Sequence, residues 1–405
     1  MIPLSEAQRP AFDWLGAPHL KRICAALEAT APGAVRYVGG CVRDSLLGVE
    51  PKDFDIATTL TPDDVISAAK AAKLKYAPTG VEHGTVTVIA DHRGVEVTTL
   101  RADVSTDGRR ATVAFTDDWT RDAGRRDFTI NAIYLTPDGF LHDPMNGLAD
   151  IEIRHVRFIG DAEQRIREDY LRILRFFRFS ARFAGGFDEA GLQASRRLKG
   201  GIASLSGERV GAETMAILNL PRAAFGLEAM ATSGVLAEIW HAHANIDAIA
   251  RLKKLAPGAP APVALAALFG AGGDGIGARL RLSNAEKAVR SNALKSQALI
   301  APNLSDRDVR RLIYQLGRDV FMDGTQLAAA FMAISEPELE RLAEVAETWT
   351  APSFPIQGSD VVAAGVTPGA RVGRILAAVE SQWIAEDFPS QTRARVILKE
   401  KIAHA

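Results

Sequence analysis

The feature that most restricts how this chain can fold is a change of period near residue 148. Before it, short apolar alternations and short helical stretches follow one another. Beyond it, apolar residues recur at helical spacing almost to the end. The pattern predicts an α/β head followed by an all-helical body, and 405 residues leave room for two to four domains. The helical part shows no internal repeat.

Within the head, a helix is expected over 19–30, ended by Pro32-Gly33, and a buried strand over 34–39. A short helix follows from Cys41 to Leu47 and stops at Gly48. A second strand is expected over 53–59, where Phe54 and Ile56 alternate with Asp53 and Asp55. Thr61 caps a helix running to about Lys73, with Pro62 and two acids in its first turn. Residues 84–90 and 95–100 predict a hairpin around His92-Arg93-Gly94, residues 101–118 a mobile polar loop, and 129–135 another strand. Helices are then expected over 161–184, 206–219, 224–240, 243–255, 261–270, 283–296, 306–317 and 324–348. The stretch 256–262 has linker composition, and 351–357 is loop-rich before a last helical unit.

Net charge is -1, so contact with an acidic polymer requires a local basic patch. Two cysteines, Cys24 and Cys41, do not make a disulfide framework and fit a reducing compartment. No signal peptide or membrane-spanning run is expected, which makes the cytoplasm the default location.

Residues two apart in a strand share a face, so Asp53 and Asp55 set two carboxylates side by side. Like charges this close favour a cation between them or a proton on one. Carboxylate oxygens suit magnesium, and two such ions can activate a hydroxyl and stabilise departing pyrophosphate. Glu96, on the neighbouring expected strand, is the natural third acid. A bare D-x-D is more often an exposed strand edge. Here it follows a strand, Gly39-Gly40, Arg43-Asp44 and a short helix. Glycines at a helix mouth let backbone N–H groups approach phosphate, and Arg43 can add charge-assisted bonds to a triphosphate.

In this order, Gly39–Gly48 (GGCVRDSLLG) with Asp53–Thr58 (DFDIAT) resembles the signature of class II CCA-adding enzymes and bacterial poly(A) polymerases, within the polymerase-beta-like nucleotidyltransferase superfamily. The resemblance implies an α+β fold: a small mixed sheet with helices as head, then an all-helical neck, body and tail. The expected divisions are 1–150, 151–220, 221–350 and 351–405. It implies that Asp53, Asp55 and Glu96 hold two Mg²⁺ ions and that Gly40 and Arg43 contact the nucleotide. Arg125–Ala132 (RRDFTINA) resembles a second family motif in which Arg126 touches the nucleotide. Asp107–Arg110 (DGRR) resembles the flexible catalytic loop, and Ser206–Glu213 (SGERVGAE) the helix start that braces the base-reading helix. The match is close over roughly 35–220 and loose beyond.

The base-reading helix is also legible in its own residues. Tyr170, Ile173, Leu174, Phe177 and Ala181 make an ordinary core face. Asp169, Arg172, Arg175 and Arg178 lie opposite, interleaved with Phe176, Phe179 and Phe183, so that face packs against something as well. Asp169 and Arg172, three apart, offer an acceptor and donors along one line. The resemblance implies that this pair accepts cytosine or adenine and rejects uracil and guanine, with Arg175 and Arg178 serving the phosphates or positioning the reader. His83, His92 and His142-Asp143 are expected to be structural. The function so implied is template-independent addition of C, C and A to tRNA 3′ ends from CTP and ATP. The alternatives are a poly(A) polymerase or A-adding enzyme with the same catalytic residues, a non-catalytic tRNA-binding protein, and a small-molecule adenylyltransferase.

Overall fold

A computed structural model describes residues 1–107, 110–241, 243–273 and 275–404, with side chains of 103–113 excluded. Two compact units emerge: residues 1–217 with 225–241, and residues 218–224 with 242–405.

The first unit is built on a sheet of eight strands: β1 (Ile2–Pro3), β2 (Val35–Val38), β3 (Asp55–Thr58), β4 (Lys75–Ala77), β5 (Thr85–Ala90), β6 (Arg93–Thr99), and, after the two strands of a separate hairpin, β9 (Tyr134–Leu135) and β10 (Phe140–His142). Their spatial order is β1-β10-β9-β2-β3-β6-β5-β4, with β3 and β6 parallel and the other pairs antiparallel. The alternation of the strands divides the sheet into two faces. Tyr37, Ile56, Val86 and Val97 are buried on one, packed with Leu20 and Ile23 of helix α1 (Pro18–Glu28). Val38, Ala57 and Tyr134 are buried on the other with Ala123. Asp55 and Glu96 belong to this second face, in register with Val38.

Several expectations change. β3 begins at Asp55, and Asp53 precedes it, so the two aspartates do not share a strand. The hairpin turn is Asp91-His92, both residues at positive φ, a two-residue connection achieved without glycine. The expected polar loop contains a two-stranded hairpin, β7 (Arg101–Asp107) with β8 (Arg110–Phe115). Of the DGRR segment within it, Gly108, Arg109 and the side chains of Asp107 and Arg110 lie outside the described residues. Residues 129–135 are a 3-10 turn followed by only two strand residues.

Among the helices that position the site, α2 spans Gly40–Leu46, α3 Pro62–Ala71, α4 Trp119–Gly124 and α5 Gly147–Glu152. The capping box of α3 is present, with Thr61 and Asp64 bonding each other's backbone N–H. Asp143 accepts from the N–H groups of Gly147 and Leu148, and His142 contacts Arg36, so both are structural. The helix expected over 161–184 is two: α6 (Ala162–Glu168) and α7 (Leu171–Phe183), with Asp169 extended at φ -158° between them. At the break the Asp169 carboxylate accepts from the Leu171 N–H. The Tyr170 ring lies so close to Gly201 that a Cβ there would come within 2.0 Å of it.

The described residues of the second unit form helices joined by turns and loops, with no strand among them. The stretch expected as a linker is a turn inside it, with Ala259 and Ala261 buried. The helix expected over 324–348 divides into Arg318–Ala330 and Glu336–Thr348 across Met332, which has φ +60°. One core gathers Val309, Phe321 and Leu342, and another gathers Ile375, Val379, Trp383 and Ile397. No helix among the described residues is long and apolar enough to cross a membrane.

Candidate active site

Two hollows adjoin the carboxylates. The first, about 320 Å³, is lined by Gly39, Gly40, Arg43, Arg125, Arg126, Asp127, Asn131, Asp169, Arg172, Arg175 and Phe179. It thus gathers every expected nucleotide contact except Arg178. Gly39, at φ +74°, makes the turn from β2 into α2, and neither glycine carries a side chain to block approach.

Each arginine of this hollow is held from behind by a carboxylate. Arg43 is buried, donates to Asp44 at 2.8 Å and to Asn131 at 2.6 Å, and lies over the Phe183 ring. Its guanidinium is therefore far more committed than a free phosphate ligand would be. Arg125 and Arg126 donate to Asp122, which also accepts from the Tyr134 hydroxyl at 2.8 Å. Arg175 donates to Asp127 at 2.8 Å, and Arg178 to Glu213 at 2.6 Å. Burial pushes Asp122 up, but Arg126 and Arg125 outweigh it and hold its carboxyl below the ordinary range. For Asp127, burial is likewise outweighed by Arg175, the Asn131 amide and the Phe128 N–H.

Asp169 and Arg172 line the same hollow but do not pair. Asp169 accepts from the Leu171 N–H at 3.1 Å and from Arg209 at 2.7 Å. Arg172 donates to Glu168 at 2.6 Å and to the carbonyls of Arg165 and Arg125, each at 3.0 Å. Helix α9 (Gly207–Leu218; α8 is Glu189–Leu198) supplies both Arg209 and Glu213, so one helix steadies Asp169 and Arg178 together. Phe176, Phe179 and Phe183 are buried, and Phe176 and Phe179 pack around Phe128. Glu213→Ala would leave Arg178 without its carboxylate near the core, while Arg175 keeps Asp127. The expected loss is about 3 kcal/mol of stability, read from urea unfolding of the purified variant.

Sequence reasoning missed Asp122, Asp127 and Glu168, and gave Ser206–Glu213 a bracing role without singling out Arg209. Two had a readable signal: Asp122 lies three and four residues before Arg125 and Arg126, and Glu168 four before Arg172, both helical spacings. Asp127 and Arg209 act across 48 and 40 residues, which no local pattern reveals.

The second hollow, about 720 Å³, is lined by Asp53, Asp55 and Glu96 together with His19, Lys52, Phe54, Thr87, Arg93 and Gly94. Asp55 and Glu96 are directly paired across the parallel strands. Among the described residues, no three His, Cys, Asp or Glu side chains converge tightly enough to form a ready-made metal cage. The donor set is nonetheless all carboxylate oxygen, and magnesium needs only one or two carboxylates besides substrate phosphates. Asp55 is open to solvent yet sits in a concavity where protein displaces much of its water. That desolvation, then Glu96, raises its pKa against the pull of Arg126, with Asp53 adding to the rise. A divalent cation relieves this crowding, so the residues fit one. His19 is lowered by burial and by Arg93, so it is neutral at neutral pH.

A model of the poly A polymerase head domain matches residues 35–157. The mitochondrial CCA tRNA nucleotidyltransferase 1 of Mus musculus is 37% identical over 390 residues, 93% of this chain and 88% of that protein. The CCA-adding enzyme of Levilactobacillus brevis is 31% identical over 381 residues, 89% of this chain and 92% of the relative. The crystal structure of the Bacillus stearothermophilus CCA-adding enzyme in complex with CTP superposes with a TM-score of 0.75 at 27% identity, covering 98% of both chains. With its sheet-borne acids, its arginine-lined hollow and this likeness along its length, the chain belongs to the family of CCA tRNA nucleotidyltransferases.

Proposed function

We propose that this protein adds C, C and A to the 3′ ends of tRNAs, taking CTP and ATP and releasing pyrophosphate. The observation that carries the reading is the juxtaposition of the acids Asp53, Asp55 and Glu96, at the central strands β3 and β6, with a hollow lined by Gly40, Arg126, Asp169 and Arg172. The triphosphate lies along Gly40 and Arg126, with Arg43 and Arg175 contributing positive field from beneath. Asp169 and Arg172 face the base, and Arg178 acts indirectly, fixing α7 through Glu213. Asp53, Asp55 and Glu96 would hold magnesium, expected as two ions, which when bound eases ionisation of the attacking ribose hydroxyl and offsets charge on the departing pyrophosphate. No nucleic-acid template is required, because the protein carries the pairing edge. We keep a division into head (1–150), neck (151–220), body (221–350) and tail (351–405), with the tail as an RNA-binding element. The cytoplasm remains our proposed location on cysteine usage, although the mouse relative is mitochondrial by name.

The test offers CTP, ATP, UTP or GTP singly to tRNAs ending before CCA, after C and after CC. The expected result is C on the first two and A on the last. Long A tails on any RNA would make the protein a poly(A) polymerase, A addition alone an A-adding enzyme, and no incorporation a non-catalytic RNA binder.

A further inference from the structure

The acids stand between the two hollows. Across the sheet, Val38, Asp55, Glu96 and Thr87 pair in one row. The arginine-lined hollow adjoins the Val38 end through Gly39 and Gly40, while Glu96 and Thr87 line the other. A transfer reaction brings two substrates to one set of acids. A nucleotide filling the first hollow leaves the second as the route for the acceptor.

The cations of the two hollows differ. In the first, Arg43, Arg126, Arg172 and Arg175 are each ion-paired. In the second, Lys52 and Arg93 are exposed, and among the described residues neither side chain has an ion pair or hydrogen bond, despite three carboxylates in the same cavity. A phosphodiester strand is repelled by those carboxylates, so its approach needs positive charge on the far wall. Lys52 and Arg93 supply it. Phe54, its ring centroid 4.9 Å from that of Trp14 and 6.4 Å from that of His19, adds an aromatic surface of the kind on which unstacked bases rest. At about 720 Å³ the cavity is within the range that encloses a small organic ligand, enough for a terminal nucleotide.

We infer that this second hollow receives the 3′-terminal nucleotides of the RNA being extended, with Lys52 and Arg93 on its backbone phosphates. The inference rests on the nucleotidyl transfer proposed above and assigns the acceptor to residues distinct from those that hold the nucleotide.

Lys52→Gln, Arg93→Gln and the double variant test it, with Arg93→Lys as the conservative control. With tRNA ending in CC and ATP, each single change raises KM for tRNA about tenfold and leaves KM for ATP unchanged. The salt dependence of tRNA binding becomes shallower by about 0.7 per cation removed, and Arg93→Lys stays near the parent. A double variant with parental KM for tRNA overturns the inference, as does a KM for ATP that rises in step. Anisotropy of a labelled acceptor-stem hairpin ending in CC, without nucleotide, reads the same surface even if the parent protein transfers nothing. Parent inactivity would sink the proposed function, while unchanged hairpin affinity in the double variant would sink only this site.

Discussion

Asp55→Ala abolishes addition of both C and A, lowering the single-turnover rate by about 10³–10⁵-fold, roughly 4–7 kcal/mol of transition-state stabilisation. The expectation follows from position. Asp55 opens β3, where it is paired on one side with Val38, which leads into Gly39-Gly40, and on the other with Glu96. It is thus the acid of the row that lies next to the strand leading into the glycine turn. The variant also discriminates catalytic from structural loss. Burial, Glu96 and Asp53 all disfavour the charged form of Asp55, so removing the carboxylate relieves repulsion and the thermal midpoint stays level or rises. CTP and ATP affinities measured by calorimetry without added metal stay close to the parent's, because Arg126 and Gly40 are untouched. A variant that keeps more than a tenth of the parent rate would show that the chemistry lies elsewhere. A variant that loses activity only by unfolding would leave Asp55 a structural residue.

The legibility of this site divides along a physical line. Gly39-Gly40 and the strand position of Asp55 were readable because turn chemistry and strand alternation are local, whereas the shared strand face expected of Asp53 was not found, since β3 begins only at Asp55. The buried phenylalanines among the arginines of α7 were readable for a similar reason: hydrophobic residues on a charged face require a second packing surface. The partners of those arginines were not readable. Arg175 could have met any acid in the head, and only the fold selects Asp127, 48 residues away. The break before α7 was hidden for another reason. Helical spacing continues across Asp169 and Tyr170, yet Asp169 is extended there and the Tyr170 ring packs on Gly201, 31 residues away, a contact no local pattern announces. The hairpin β7–β8 was missed because Arg101, Asp103, Asp107, Arg109 and Arg110 crowd its sequence and outweigh a weak apolar alternation.

That break also determines what a change at the proposed base reader should do. Had α6 and α7 been continuous, Asp169 and Arg172 would be helical neighbours able to neutralise each other. Instead Arg209 holds one Asp169 carboxylate oxygen and the Leu171 N–H the other. A carboxylate has about four acceptor sites, so accepting capacity remains. Three of the five N–H donors of Arg172 are spent on Glu168 and two carbonyls. An acceptor beside donors matches an exocyclic amine next to an unprotonated ring nitrogen, which cytosine and adenine share. Uracil and guanine place a carbonyl and a ring N–H there, setting acceptor against acceptor. Arg172→Ala is therefore expected to reduce the preference for C and A over U and G by about 10²-fold or more, the scale at which a site built to hydrogen-bond rejects a mismatched partner. The measurement is kcat/KM for each of the four nucleotides on a tRNA lacking CCA and on one ending in CC. Glu168→Gln should produce a smaller loss in the same direction, since it loosens Arg172 without removing it. Uniform loss across all four nucleotides would place Arg172 among the residues that merely support the hollow, and discrimination would then belong to another wall.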